Sequence, residues 1–193
     1  MLRRMYDRVL ALAEQPHALT ALAVISFIES SFFPIPPDVL LIPMVLAART
    51  RAWRIAAVCT VASVAGGMFG YAIGYFLFES VGRPLLAFYG YGAKFAEFRE
   101  MYNEWGAWIV FIAGTTPFPY KVITIASGVT ALDPATFTIA SVAARGLRFF
   151  IVAGLLWWLG EPIRAFIEKR LGLVFTVFVV GLVGGFVALR YLH

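Results

Sequence analysis

The chain has 193 residues, of which 61% are hydrophobic and only 14% are charged. Soluble domains are about 45–50% apolar and about 25% charged, and a soluble domain of this size lacks the interior to bury so much apolar surface. The composition therefore predicts an integral membrane protein and excludes a disordered chain. The net charge is +5, but the basic residues are scattered along the chain and do not support nucleic-acid binding.

The sequence offers little basis for metal, disulfide or hydrolytic chemistry. Its one cysteine, Cys59, excludes an internal disulfide and a cysteine-based zinc site. Its two histidines, His17 and His193, lie near the chain ends. No Ser-His-Asp set, Walker lysine loop or HExxH motif is present, so we expect no cofactor, no metal and no enzymatic activity.

The first half of the chain is interrupted by prolines. Residues 1–18 have the pattern of an amphipathic interfacial helix. Residues 19–48 contain two apolar stretches, each shorter than the about 20 residues that cross a bilayer. The break between these stretches contains Pro34, Pro36 and Pro37. Because proline removes a helix donor, we predict two half-helices that enter and leave on one side, a re-entrant hairpin.

A spanning helix is expected next, at residues 55–78, which carry no charge. This segment contains three glycines at four-residue spacing: Gly66, Gly70 and Gly74. Small residues on one helix face let a neighbouring helix approach closely. Two interpretations stay open, namely tight packing within the monomer and a homodimer through this face.

The second half of the chain repeats the first pattern. Residues 79–104 are polar and predict an aqueous or interfacial segment, after which residues 105–131 predict a second broken hairpin. Spanning helices are expected at residues 136–160 and 171–189.

The two breaks align at a constant offset, which indicates an internal repeat. Pro34, Pro36 and Asp38 lie 83 residues before Pro117, Pro119 and Lys121. Matched apolar segments interrupted by proline are typical of transporters built from inverted repeats.

The distribution of basic residues predicts the orientation. With the N-terminus in the cytoplasm and each hairpin returning to its own side, nine Lys or Arg lie inside and four lie outside. Basic residues favour the cytoplasmic side, and this arrangement puts the two hairpins on opposite faces. The predicted fold is an all-α, polytopic single membrane domain over residues 1–193, with two opposed re-entrant hairpins and about three spanning helices.

Five charged residues lie inside otherwise apolar segments: Glu29, Asp38, Lys121, Arg145 and Arg148. A charge at bilayer depth costs from about 2.5 to more than 10 kcal/mol, so such groups pair, face water or serve a function. The acids belong to the first half and the bases to the second, so pairing between the halves leaves one base over. A surplus cation in a low dielectric favours an anion such as a phosphate.

These charges predict a substrate site with proton exchange. We expect an anionic lipid head group to contact the three bases and two flanking hydroxyls: Lys121, Arg145, Arg148, Thr115 and Thr116. Burial favours the protonated form of a carboxyl, so Glu29 and Asp38 are the proton-coupling candidates. The alternatives are that the charges only fix the helix arrangement, and that Arg148 extends to the membrane interface.

The same residues carry a resemblance to a known family. Glu29, Pro34-Ile35-Pro36-Pro37-Asp38, the Gly114–Lys121 break and Ala126-Ser127-Gly128 resemble the DedA family, also called SNARE-associated Golgi or VTT-domain proteins, and its YqaA-like bacterial branch. The resemblance implies a bacterial inner-membrane protein with two opposed re-entrant hairpins that moves undecaprenyl phosphate or a phospholipid between leaflets. By position, Glu29 and Asp38 match the family's acids.

Two positions differ from the family pattern. Lys121 stands where an arginine is usual, and Thr115 stands where many members have another arginine. Arg145, on the next helix, would supply the missing cation.

The sequence supports two functions of different classes. The first is a flippase or scramblase for an anionic polyprenyl phosphate or phospholipid, with or without proton coupling. The second is a membrane scaffold or assembly factor that transports nothing. An intramembrane lipid-modifying enzyme lacks a nucleophile.

Overall fold

A computed structural model describes residues 17–32, 36–116 and 118–160. All regular structure in these ranges is helical, which confirms the all-α class. The α-helices are α1 (Ala18–Ser31), α2 (Asp38–Ala47), α3 (Ala52–Leu77), α4 (Arg83–Tyr89), α5 (Gly92–Thr115), α6 (Tyr120–Val129) and α7 (Pro134–Gly160). The predicted helices at residues 1–18 (apart from His17 and Ala18) and 171–189, together with Pro34 and Pro117, lie outside the described residues.

The first proline break separates two short helices. α1 has 14 residues and α2 has 10, and both are too short to cross a bilayer alone. Pro37 occupies the N-cap of α2 with a φ of −65°, because proline is tolerated where no intrahelical N–H bond is needed. As expected, α1 ends before the proline cluster and α2 begins directly after Pro37, although a further proline, Pro43, lies inside α2.

The polar segment at residues 79–104 is more helical than the sequence analysis predicted. α3 continues through a π-helical turn (Phe78–Gly82) into α4, so that Arg49–Tyr89 forms one helical stretch of 41 residues. α4 ends at Gly90, whose φ of +72° gives a left-handed C-cap. The sequence analysis divided the polar segment from the second hairpin between residues 104 and 105. α5 passes through this boundary without a break, since no proline lies within the helix.

The second break resembles the first in its construction. α5 ends at Thr115, and α6 begins at Tyr120 after Pro119 takes the N-cap. Asp133 precedes α7, and its carboxylate accepts bonds from the Thr136 N–H at 2.7 Å and the Thr136 hydroxyl at 2.9 Å. These bonds lower the pKa of Asp133 below its ordinary value, because they stabilise the charged form.

Two helical stretches in the described ranges are long and apolar enough to cross a bilayer. They are Arg49–Tyr89 and Pro134–Gly160. They coincide with the predicted spans at 55–78 and 136–160.

The glycine face of α3 packs inside the monomer. Gly66 lies against the backbone of Phe27 in α1, and Gly74 lies against the backbone of Ile125 in α6. Gly70, between them, contacts Thr124 and the Ser30 carbonyl. This face is therefore occupied by the chain's own helices, and a homodimer through Gly66, Gly70 and Gly74 would have to displace them.

The outer ends of α1 and α2 lie at the same end of α3. A buried cluster joins Ala18 of α1 and Leu46 of α2 to Ala52, at the start of α3, and to Leu156, near the end of α7. The residues on either side of the first break lie deeper, because Ser30 contacts Ser63 and not the first turn of α3.

The outer ends of α5 and α6 lie at the opposite end of α3. The Tyr71 hydroxyl donates to the Leu132 carbonyl at 2.6 Å, and Tyr102 of α5 contacts Ser127 of α6 at 3.0 Å. Close to the second break, Gly114 contacts the Tyr120 ring and Ala144 of α7. Both breaks therefore face the middle of α7.

Candidate functional site

Glu29, near the end of α1, forms an ion pair with Arg145, in the middle of α7. Nη2 of Arg145 donates to Oε2 of Glu29 at 2.9 Å. The Arg145 side chain is 1% exposed and the Glu29 side chain is 16% exposed. Each charge compensates the other in a place where either alone would be costly.

Two serines complete a closed ring of hydrogen bonds around this pair. Nε of Arg145 donates to Oγ of Ser63 at 2.6 Å, and that oxygen lies 2.6 Å from Oγ of Ser30. The Ser30 hydroxyl donates to Oε2 of Glu29 at 3.1 Å. The ring ties α1, α3 and α7 together at one point.

Aromatic rings enclose the Arg145 guanidinium from the remaining directions. Its Cζ lies 4.9 Å from the centroid of Tyr120 and 4.7 Å from that of Phe149, within the range of cation–π attraction. The Tyr120 hydroxyl donates to Ser141 of α7. Arg145 thus has its own acid, hydroxyl and aromatic partners.

The second ion pair joins the two breaks and is more accessible. Nη2 of Arg148 donates to Oδ2 of Asp38, the first residue of α2, at 2.7 Å. Nη1 of the same guanidinium donates to the carbonyl of Thr116, where α5 ends, at 3.1 Å. The Arg148 and Asp38 side chains are 20% and 23% exposed. We call the set Asp38, Thr115, Thr116 and Arg148 the charged junction.

A cavity of about 280 Å³ opens beside the charged junction. Its lining is Thr115, Leu147, Arg148, Ile151 and Val152. Among the described residues, Arg148 is the only charged group in this lining. The cavity therefore offers one cationic contact in an otherwise apolar wall.

The predicted pairing of acids with bases is partly confirmed. The sequence predicts that Glu29 and Asp38 pair with Lys121 and Arg145. In the structure Glu29 does pair with Arg145, whereas Asp38 pairs with Arg148. Arg148 therefore belongs to the charged junction. Lys121 lies half-buried in the first turn of α6 and forms no salt bridge within the described ranges.

The remaining predicted residues lie around these pairs. Thr115 and Thr116 donate their hydroxyls to carbonyls within α5, so both hydroxyls satisfy the helix end. Pro36, Pro37 and Pro119 precede helix starts. The described residues contain no group of three or more His, Cys, Asp or Glu arranged to hold a metal ion.

Sequence reasoning missed Ser30, Ser63, Tyr120 and Phe149 as partners of the pair. A serine in an apolar helix is common, and nothing local in the sequence links Ser30 to a residue 33 positions later. Phe149 could have been found, because it lies one turn after Arg145.

Comparison with known proteins assigns the family. Residues 35–157 match the VTT domain. The chain belongs to the VTT-domain family. This match includes Asp38, Lys121, Arg145 and Arg148, and it confirms the resemblance to DedA proteins, which are membrane proteins.

Two bacterial relatives match this VTT-domain chain over nearly its whole length. A protein of Haemophilus influenzae is 37% identical over 184 residues, covering 95% of both chains. A protein of Histophilus somni is 34% identical over 180 residues, covering 93% of this chain and 94% of its own. Both are described as uncharacterized. No solved structure matches the chain.

Proposed function

We propose that this VTT-domain protein moves an anionic lipid phosphate, a polyprenyl phosphate or a phospholipid, between the leaflets of the bacterial inner membrane. The observation that carries the proposal is the charged junction. Arg148 is paired with Asp38 beside the first break, yet it is one-fifth exposed and borders a cavity that Thr115, at the second break, also lines. A phosphate in this cavity would meet a guanidinium, whose planar fork suits phosphate oxygens.

The balance of interior charges supports an anionic ligand. Glu29 and Asp38 neutralise Arg145 and Arg148, so Lys121 leaves a surplus of one positive charge among the five predicted site residues. The attraction between this surplus and an anion is weakly screened in a low dielectric. Arg145 is already surrounded by its own partners, so Arg148 and Lys121 bind the head group and Arg145 holds the helices.

Proton coupling follows from the competition at Arg148. Asp38 and a lipid phosphate would both accept from the same guanidinium. When Asp38 takes up a proton, its attraction for Arg148 falls and the guanidinium becomes available to phosphate. Protonation and lipid binding are then favoured together, with Glu29 as the second proton-coupling candidate.

The membrane arrangement is the second part of the proposal. α1 with α2, and α5 with α6, form two re-entrant hairpins that enter from opposite faces, with the N-terminus in the cytoplasm. The support is that the outer ends of the first pair lie near Ala52, at the start of α3, whereas Leu132, just after α6, contacts Tyr71 in the last part of α3. Broken helices at membrane depth require neighbouring protein, and α3 and α7 provide it.

Single-cysteine labelling tests the arrangement. The variants are made in a Cys59→Ser background and treated, in spheroplasts, with a maleimide that cannot cross the inner membrane. Ala135→Cys should be labelled, because Ala135 is exposed beside the mouth of the second hairpin. Thr50→Cys, exposed beside the first mouth, should be labelled only after permeabilisation. The background variant alone is the control. Labelling of both positions from the same side would contradict opposed hairpins.

Conservative removal of the two head-group cations tests the function. Lys121→Gln and Arg148→Gln should each lower lipid phosphate flux in liposomes about tenfold or more, because a hydrogen bond to a charged group contributes about 1.5–3 kcal/mol. Lys94→Gln, which removes an exposed cation from α5, should transport normally. All three proteins should elute as folded monodisperse species.

The scaffold alternative predicts the opposite effects on lipid flux and on folding. If the charges only fix the fold, the wild-type protein moves no lipid and the Lys121 and Arg148 variants lose abundance or folding. That result would replace the transport proposal.

A further inference from the structure

An apolar groove of about 610 Å³ lies along one face of α5. It runs from Phe98 to Thr116, about 27 Å at 1.5 Å per residue. Phe118 and Ile123, from the second break and α6, form its other wall. The groove thus has the shape of a long channel that is open on one side.

The lining presents almost only carbon. The Tyr102 hydroxyl is directed to Ser127 at 3.0 Å, and the Thr116 hydroxyl donates to the Ala113 carbonyl at 3.3 Å. No charged residue is part of the lining among the described residues. Trp105 and Trp108 contribute large, half-exposed aromatic surfaces. A polar head group has no partner along this groove, whereas an apolar chain has many contacts.

One end of the groove is continuous with the charged junction. Thr116 lines the groove, and its carbonyl accepts the hydrogen bond from Arg148. A molecule whose phosphate contacts Arg148 can therefore place its chain directly in the groove. This continuity selects a lipid over a second protein copy, because the site beside Thr116 is cationic and the channel leading away from it is apolar.

We infer that the groove along α5 binds the apolar chain of the same lipid whose phosphate contacts Arg148. This inference rests on the proposed function and adds the part of the protein that recognises the tail.

A matched position on α7 separates specific binding from ordinary contact with lipid. Gly114 of α5 contacts Ala144 of α7, so Ile112 and Val142 lie at about the same depth, each two residues earlier. Their exposures are similar, 57% and 49%. Only Ile112 lines the groove. Bulk lipid would contact both positions equally.

Photo-crosslinking tests the inference. The probe is farnesyl phosphate with a photoreactive group at the chain end, added to the full-length wild-type protein in phosphatidylcholine nanodiscs. Adducts mapped by mass spectrometry should fall several-fold more often on Trp105, Trp108 and Ile112 than on Val142. Excess unlabelled lipid phosphate should remove the groove adducts, and Arg148→Gln should reduce them.

Other results would distinguish failure of the groove from failure of the proposed function. Equal adducts at Ile112 and Val142, with probe retention that still depends on Arg148, would overturn the groove and leave phosphate binding intact. Groove adducts that are unchanged in Arg148→Gln and equally strong with photoreactive farnesol would overturn phosphate recognition. A crosslink from Ile112→Cys to a second copy or to residues 161–193 would make the groove a protein interface and overturn the inference.

Discussion

Arg145→Gln is expected to lower the free energy of unfolding by about 3–5 kcal/mol, because removing one member of a buried ion pair leaves the other charge uncompensated. Glu29 would lose its 2.9 Å bond, and the Ser63 hydroxyl would lose the donor that now lies 2.6 Å away. Tyr120 and Phe149 would lose the cation between them. The loss should appear as a lower midpoint of thermal unfolding and a smaller folded peak in size-exclusion chromatography in detergent.

An exposed ion pair provides the matched control. Arg83 and Glu79 form an ion pair at 2.8 Å, with side chains 63% and 37% exposed. Arg83→Gln should change the stability by no more than about 1 kcal/mol, since surface pairs contribute little. The double variant Glu29→Gln with Arg145→Gln should recover part of the loss. If Arg145→Gln unfolds no more readily than Arg83→Gln, Arg145 does not hold the helices.

Gly66→Ala and Gly74→Ala are expected to lower the stability of the fold strongly, although each adds only one methyl group. A Cβ at Gly66 would overlap the backbone of Phe27, and one at Gly74 would overlap the backbone of Ile125. Backbone atoms of packed helices cannot move aside singly, so α1 or α6 would have to separate from α3. We expect each substitution to cost about 1–3 kcal/mol or more and to reduce the yield of folded protein.

A glycine in open space is the control for this prediction. At Gly92, the first residue of α5, a methyl group would have no neighbour within 4 Å. Gly92→Ala should be neutral or stabilising by up to about 1 kcal/mol, because alanine favours helix. Equal thermal midpoints for all three variants would show that α1 and α6 do not pack closely on α3.

The two proline breaks could be predicted because their cause is local. Each proline removes a donor, and the cluster from Pro34 to Pro37 predicts the break between α1 and α2, whereas the single Pro43 lies inside α2 without ending it. The continuity of α5 could also have been predicted from the sequence. No proline interrupts residues 92–115, so the polar and apolar parts of this segment form one continuous helix.

The pairing of the charges could be predicted only in outline. The acids lie in the first half of the chain and the bases in the second, which indicated ion pairs between the halves. Which base each acid meets depends on its position along the axis of α7. Arg145 and Arg148 are three residues apart on adjacent turns, and only the packing of α1 and α2 decides that Glu29 meets the first and Asp38 the second. The Ser30–Ser63 contact depends on the same packing.

Flux of two lipids through the wild-type protein in liposomes is the most direct test of the proposed function. A fluorescent polyprenyl phosphate and a fluorescent phosphatidylcholine, each initially in both leaflets, are followed by their accessibility to a membrane-impermeant quencher. We expect the lipid phosphate to cross at a rate well above that of protein-free liposomes, with phosphatidylcholine much slower. Equal rates for the two lipids, or no movement of the phosphate above the protein-free rate, would contradict recognition of a lipid phosphate at the charged junction.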